Sequence, residues 1–239
     1  MYYLRQVSIL SFNIHVLATA QSIFYTYPET IAKKGPNEVV SFLFHFIVNY
    51  LDENCKHLHI FCDSAGGQNK NFVMFRFMHY IVHIANLLDS IKITFPERGH
   101  SYLECDKNMG LVQLKSKMEL PSDWIDVLQS ARTRPSPFDV ISVTQNIVKQ
   151  WDVFLAGKYV KKCPFPIQQI KEIESSREHP RLMRHRSAFH STWSRSPIEP
   201  TVKKSAKKTA PTIVLQEGEF ELPLEAYNGK YILIMYVFY

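Results

Sequence analysis

The sequence predicts an α/β fold: a mixed β-sheet flanked by helices, with a smaller α+β region at the C-terminal end. Two alternating apolar runs near the start are separated by a short turn, which is typical of an antiparallel hairpin. Strand-like and helix-like patterns then alternate, which is typical of crossover connections in a layered α/β domain. The run HLHIFC at 57–62 is followed by Asp63 and a Gly-Gly turn. This pattern predicts a buried strand that ends at a polar residue.

The first half of the chain supplies the hairpin, a helix and a central strand. Residues 2–18 and 22–27 are rich in Tyr, Ile, Val and Phe and predict the two hairpin strands. Asn37 is a predicted N-cap for a helix over 38–51, which has one apolar face. The strand at 57–62 has a connection on each side, which favours a central position in the sheet.

A second helix, a strand and a third helix follow. A helix over residues 71–88 would have apolar side chains on nearly all of its faces, which predicts a buried helix. Residues 91–95 predict a short strand. A helix is predicted over 101–118, with Ser101 as N-cap and Glu104 as its capping partner.

The remainder is predicted as shorter elements. Helices are expected at 122–130 and 146–155, and a strand at 138–143. The Asn-Gly turn predicts that 213–224 and 231–239 pair with each other.

These patterns divide the chain into four predicted regions. They are a core over 1–119, a helical extension over 120–174, a basic linker or loop over 175–212, and a C-terminal β pair over 213–239.

Composition indicates an ordinary globular protein in a reducing compartment. Hydrophobic residues make up 46% and charged residues 21% of the 239 residues. Four scattered cysteines do not form a disulfide scaffold, and we interpret Cys62 and Cys105, which lie beside candidate site carboxylates, as core thiols. A zinc site shared with His100 is an alternative, but no Cys-x-x-Cys spacing supports it. With no leader-like start and no apolar run of about 20 residues, the sequence predicts a nuclear or cytoplasmic protein that is neither secreted nor membrane-bound.

Positive charge is concentrated in one segment. The formal net charge is +6, yet residues 177–208 hold nine Lys and Arg against two Glu. Such a local excess indicates a polyanionic partner, and a solvated flexible linker is an equally weighted alternative. The run VKKSAKK at 202–208 is a low-specificity nuclear signal.

The first candidate site follows the strand at 57–62. Asp63 precedes a Gly-Gly turn, and Mg²⁺ prefers such carboxylates with waters and substrate phosphates. Gln68, Asn69 and Lys70 are predicted to contact phosphates from the start of the next helix. Helix capping is the alternative role for all of these side chains.

The second candidate site follows the strand at 91–95. Asp106 lies early in the predicted third helix, from which it can point back over the strand ends. His100 is predicted to bind a phosphate, a metal ion or a leaving group, and Arg98 to bind phosphate. Taken alone, His100 or Arg98 would more often be an ordinary loop residue. The candidate catalytic residues are therefore Asp63, Asp106 and His100, with Asp63 and Asp106 as metal ligands.

Other chemistries fit less well. The chain lacks the G-x-x-x-x-G-K-[ST] phosphate loop and the G-x-S-x-G nucleophile elbow.

The element order and several motifs resemble known sequences. The order β-β-α-β-α-β-α, with carboxylates after a central strand and in the helix after the next strand, resembles the ribonuclease H-like fold of DDE-type transposases and integrases. Over about residues 2–160 the chain also looks like transposon-derived arthropod reading frames whose shared domain has no established function. The motifs that carry this likeness are YYLRQ, the F-Y-x-Y-x-E-T-I-A-x-K-G-P-N-E-V run, HIFCDSAGGQNKN and F-P-x-R-G-H-S-Y-L-x-C-D.

The resemblance implies three catalytic carboxylates, of which this chain matches two. DDE-type enzymes carry one on the first strand, one on the fourth and one in a later helix. Asp63 matches the second and Asp106 the third, whereas no acidic residue precedes Glu29. The strand with the first carboxylate is expected upstream of this chain. Because that strand is central in the family, its absence predicts unpaired strand edges or a rearranged sheet.

Three functions follow from these observations. The favoured one is a transposon-derived, catalytically inactive domain that binds nucleic acid, chiefly DNA, through Lys203, Lys204, Lys207 and Lys208. The second is a Mg²⁺-dependent nuclease or strand-transfer domain that is active only with the upstream carboxylate. The third is a structural protein-interaction module. A homo-oligomer is among the partners that the sequence allows.

Overall fold

One mixed β-sheet forms the centre of the molecule. The computed structural model describes residues 7–97, 103–114, 121–200 and 230–237, with Pro121, Ser122 and 230–237 described by their backbone. The strands are β1 (Ile9–Val16), β2 (Gln21–Pro28), β3 (His57–Cys62), β4 (Ser90–Thr94), β5 (Asp139–Ser142), β6 (Glu172–Ser176), β7 (Leu182–Arg186), β8 (Ser194–Pro197) and β9 (Lys230–Val237). The helices are α1 (Pro36–Asn49), α2 (Phe72–His83), α3 (Glu104–Gln113), α4 (Pro121–Ala131) and α5 (Trp151–Ala156), with a short 3₁₀ helix at Ile167–Gln169. The predicted α/β class is confirmed.

The strand order is β5-β2-β1-β9-β3-β4-β6-β7-β8. Strands β1 and β2 form the predicted antiparallel hairpin. Strand β3 runs parallel to both of its neighbours, β4 and β9, which confirms its central position. Strands β4, β6, β7 and β8 follow one another antiparallel to the far edge.

Helices cover the two faces of the sheet unequally. On one face, Phe42 of α1 stacks on Tyr25 of β2, and α2 packs against α1, α5, β4 and β6. On the other face, α3 packs on β1 and β9, and α4 packs on β2 and β5. Polar contacts also hold these two helices, since Asn108 of α3 donates to Asn13 and Trp124 of α4 donates to Ser11.

Capping contacts explain where α1 and α2 begin. The N-cap of α1 is Gly35 rather than the predicted Asn37, because the Glu38 carboxylate accepts hydrogen bonds from the backbone nitrogens of Gly35 (2.9 Å) and Lys33 (3.1 Å). Pro36 then occupies the first turn, where a missing N–H costs nothing. The side chain of Asn71 caps α2 by accepting from the backbone nitrogen of Met74.

Helix α3 begins with a different capping pair from the predicted one. Its N-cap is Leu103, whose backbone nitrogen donates to Asp106 Oδ2 at 2.8 Å. The predicted partner Glu104 instead forms an ion pair with Lys107. The predicted N-cap Ser101 lies outside the described residues.

The predicted basic linker over 175–212 is wrong for its described part. Strands β7 and β8 lie between residues 182 and 197. Their pattern is hard to recognise because Met183 and His185 face the core while Arg184 and Arg186 form ion pairs on the other face. Residues 201–212 lie outside the described part of the chain.

The predicted partner of the C-terminal strand, residues 213–224, lies outside the described residues. Strand β9 pairs with β1 on one edge and with β3 on the other. Strand β9, the last described strand in chain order, thus lies between the hairpin and β3. One apolar cluster includes residues from Leu10 to Ile198, on both sides of the predicted boundary at 119.

No helix among the described residues is long and apolar enough to cross a membrane.

Candidate functional site

The site is built around Asp63, which directly follows β3. Asp63 Oδ1 accepts a hydrogen bond from the Asn69 side-chain amide at 2.6 Å and lies 3.4 Å from the backbone nitrogen of Ala65. The carbonyl of Ala65 accepts hydrogen bonds from three backbone nitrogens at 2.9 to 3.1 Å, those of Gln68, Asn69 and Lys70. Asp63 is therefore held at the end of the strand by the turn that follows it.

Asn69 and Lys70 make intramolecular contacts in place of the expected phosphate contacts. Asn69 is fully buried, and its Oδ1 accepts no hydrogen bond from the described residues. Lys70 is 4% exposed; its ammonium group donates to the carbonyl of Gln168 at 3.0 Å and lies 4.9 Å from the centre of the Phe95 ring. Gln68 is partly exposed, so it is the one of the three whose side chain is placed toward solvent.

The Gly-Gly turn leaves open space beside Asp63. A Cβ atom at Gly67 would meet no atom within 4 Å, and one at Gly66 would lie 3.6 Å from Gln168 Nε2. Neither glycine has a positive φ. The backbone conformation therefore does not require glycine at either position, and a Cβ atom at residue 67 would meet no neighbouring atom.

Asp106 lies in the first turn of α3, where a hydrogen-bond network fixes the helix. The Asn108 amide donates to Asn13 Oδ1 at 3.1 Å and to Ser22 Oγ at 3.0 Å, and all three residues are buried. The Cys105 thiol donates to the Asn13 carbonyl at 3.7 Å. These contacts hold Asp106 beside β1, with one carboxylate oxygen used for capping.

The strand register places Asp63 level with Asn13, whose carbonyl accepts from the Cys105 thiol next to Asp106. Cys62 pairs with Met235, and Met235 pairs with Ile14, so the next position along each strand holds Asp63, Tyr236 and Asn13. Strands are spaced about 4.8 Å apart, which puts β1 and β3 roughly 10 Å from each other. Asp63 at the end of β3 and the α3 residue that contacts β1, Cys105, are therefore separated by β9.

The cysteines next to these acids are confirmed as core thiols. Burial raises the pKa of Cys62 well above its usual value, and the Asp63 carboxylate raises it further. Burial likewise raises the pKa of Cys105, with Asp106 as the second cause. Both thiols stay protonated at neutral pH, which makes them poor nucleophiles and poor metal ligands.

The donor set of this region does not fit a Mg²⁺ site. No group of three His, Cys, Asp or Glu side chains able to hold a metal ion occurs in the described part of the chain. One oxygen each of Asp63 and Asp106 is engaged within the protein, and β9, with the sequence KYILIMYV, supplies no carboxylate. Paired Mg²⁺ ions need shared anionic ligands.

Six of the predicted site residues lie outside the described residues. They are Arg98, His100, Lys203, Lys204, Lys207 and Lys208. Their assigned roles stay predictions.

Sequence reasoning missed a second set of polar residues, on the sheet face opposite Ile93, Ile173 and Met183. We call this surface the polar face. It consists of Lys92, Thr94, Glu172, Glu174, Arg184, Arg186, Trp193 and Arg195. The alternation in LMRHR at 182–186 was the available signal, but its charged positions resembled a linker.

Glu172 is the centre of the polar face. Its side chain is 5% exposed; it forms an ion pair with Arg186, lies 2.7 Å from Lys92 Nζ and accepts from Thr94 Oγ1 at 3.1 Å. Because the Thr94 hydroxyl proton goes to Glu172, Thr94 accepts from His59 Nε2, 2.9 Å away. This network of an ion pair and hydrogen bonds links Arg186 of β7 to His59 of β3.

The comparisons with known proteins give a family and nothing more specific. A family model described as a domain of unknown function (DUF7869) matches residues 7–144, which is more than half of the chain. No curated protein and no solved structure matches the chain.

Proposed function

This chain belongs to the DUF7869 family of domains of unknown function, and we propose that it is a transposon-derived, ribonuclease H-like domain that binds nucleic acid without cleaving it. The observation that carries the proposal is β9. This strand occupies the central position next to β3 and contains no acidic residue.

The order and directions of five strands support the resemblance. If β9 stands for the first strand, the hairpin β1–β2 follows on one side of it, and β3 and β4 run parallel to it on the other. Asp63 then ends the fourth strand of that arrangement, and Asp106 lies in the helix after the fifth. Both acids occupy the positions that the resemblance assigns to the second and third carboxylates.

The sequence of β9 supports loss of catalysis. The family resemblance calls for a carboxylate on the strand beside Asp63, and β9 offers Ile234, Met235 and Tyr236 at the register positions next to that strand end. Two carboxylates alone hold a pair of divalent cations poorly. We therefore assign this chain binding rather than phosphoryl transfer.

The charge distribution supports nucleic acid as the partner. Residues 177–208 carry nine Lys and Arg against two Glu, while the rest of the chain is close to neutral. Local positive charge of this kind neutralises phosphates and releases their counterions. A DNA-binding role also agrees with the nuclear residence expected from VKKSAKK.

The binding test is a salt titration with labelled DNA. We expect the full chain to retard DNA, and we expect affinity to fall about tenfold or more when Lys203, Lys204, Lys207 and Lys208 all become Glu. The slope of log affinity against log salt should also become shallower.

A variant with the same charge change is the control. Lys149, Lys158, Lys161 and Lys162 are exposed, and changing all four to Glu should leave a larger share of the binding intact. Equal losses in the two variants would show that net charge alone is responsible. The absence of any retardation by the unmodified chain would end the binding proposal.

A metal-dependent nuclease is the second candidate, favoured by one observation. Asp63 is level with Asn13 in the strand register, and the neighbour of Asp106, Cys105, contacts Asn13, which agrees with two ligands of a shared metal site. This function requires a third carboxylate that the described residues do not supply.

A further inference from the structure

We propose that the polar face is a platform for single-stranded nucleic acid, with the Trp193 indole as its base-stacking surface. This inference rests on the proposed nucleic-acid binding and names the form of the ligand and the place where it binds. It adds a contact surface on the sheet itself to the predicted basic stretch.

The register arranges the charges of the polar face in two rows across four strands. In one row, Lys92 pairs with Glu174, Glu174 with Arg184, and Arg184 with Arg195. In the other row, Thr94 pairs with Glu172 and Glu172 with Arg186. Among the described residues, four basic side chains thus accompany two acidic ones on this face, and the exposed Arg195 is complementary to phosphate.

Three cations surround one aromatic ring. The guanidinium carbons of Arg186 and Arg184 lie 4.7 and 4.8 Å from the centre of the Trp193 ring, and Lys92 Nζ lies 5.5 Å from it. Trp193 itself is partly exposed, directly before β8. The ring is held in place by the cations of the sheet, which gives a preorganised surface for an unpaired base.

The accessible part of the polar face lies at Trp193 and Arg195, since Thr94, Glu172, Arg184 and Arg186 are buried. Helices α3 and α4 pack over β1, β2, β5 and β9, whereas α2 packs against β4 and β6 on the opposite face. Arg195 is exposed at the outer edge, where it can reach a phosphate. Single-stranded nucleic acid fits better than a duplex because stacking on Trp193 requires an unpaired base.

The test measures binding of labelled oligothymidylate to the full chain. We expect the oligonucleotide to quench tryptophan fluorescence and to bind more tightly than a duplex of the same length. Trp193→Ala should weaken its binding about 5- to 100-fold, the range that loss of one stacked base predicts, while Trp193→Phe should retain most of the affinity.

The control is an aromatic–cation pair elsewhere on the surface. Lys158 Nζ lies 5.1 Å from the ring centre of Phe154, which is 48% exposed, and changing both residues to Ala should not alter oligothymidylate binding. Arg195→Glu tests the face without touching its buried network, and it should weaken binding and reduce the salt slope by about one or more. Should Trp193→Ala fail to fold, Trp193→Phe and Arg195→Glu decide the result.

The outcomes separate this inference from the proposed function. Oligothymidylate binding that is unchanged in both Trp193→Ala and Arg195→Glu overturns the platform while leaving DNA binding intact. Competition by polyglutamate as effective as that by oligothymidylate overturns it in favour of an acidic protein partner. Failure of the unmodified chain to bind any nucleic acid overturns both.

Discussion

Ile234→Pro is expected to lower the free energy of unfolding by about 3 kcal/mol or more, because proline removes a ladder donor from the centre of the sheet. Residue 234 pairs with His15 of β1 on one edge and with Phe61 of β3 on the other. Typical domains are stable by only about 5–15 kcal/mol, so thermal or urea unfolding will register the change clearly.

An edge strand provides the control for this prediction. Ser194→Pro lies at the first position of β8, where a proline is tolerated, and should cost less than about 1 kcal/mol. Equal unfolding free energies for Ile234→Pro and the unmodified chain would mean that β9 is not needed to close the sheet.

Glu172→Gln is expected to lower the free energy of unfolding by about 3–5 kcal/mol, since it removes the carboxylate that faces a buried guanidinium. The side chains of Glu172 and Arg186 are 5% and 6% exposed, and Lys92 is also within ion-pair distance of Glu172. When the Glu172 carboxylate is lost, the buried Arg186 guanidinium loses the negative charge that it faces. Urea unfolding measures the loss.

Two variants make the interpretation of Glu172 specific. Glu97→Gln breaks an ion pair with Lys171 in which Glu97 is 55% exposed, and it should cost no more than about 1 kcal/mol. Replacing Glu172 and Arg186 together by Met should recover most of the loss. A Glu172→Gln variant as stable as Glu97→Gln would show that the polar face is not held together by this carboxylate.

Local patterns predicted the elements whose periodicity is strong. The hairpin and the strand at His57–Cys62 follow from apolar alternation, and the helix after Asn71 follows from apolar residues on nearly all of its faces. Asp63 was recognisable for the same reason, because it follows a clear strand. Burial of Asn69 and Lys70 was not recognisable, since the Lys70 ammonium group contacts the carbonyl of Gln168, 98 residues away.

The position of β9 and the presence of β7 and β8 depend on pairing between strands far apart in sequence, which local patterns do not predict. Nothing in KYILIMYV specifies that β9 lies between β1 and β3 rather than beside its neighbour in sequence. The strands β7 and β8 were missed because their outward positions are charged. Those of β7, Arg184 and Arg186, pair with Glu174 and Glu172 across the sheet. A strand with such charged positions can be recognised only when its partner strand is known.

Incubation of labelled linear DNA with the full chain and Mg²⁺ or Mn²⁺ tests the central claim most directly. A gel run under native conditions reports binding, and the same sample run under denaturing conditions reports cleavage. We expect retarded but uncut DNA, with the same result for Asp63→Ala. Metal-dependent cleavage by the unmodified chain that is lost in Asp63→Ala would contradict the account and establish a nuclease.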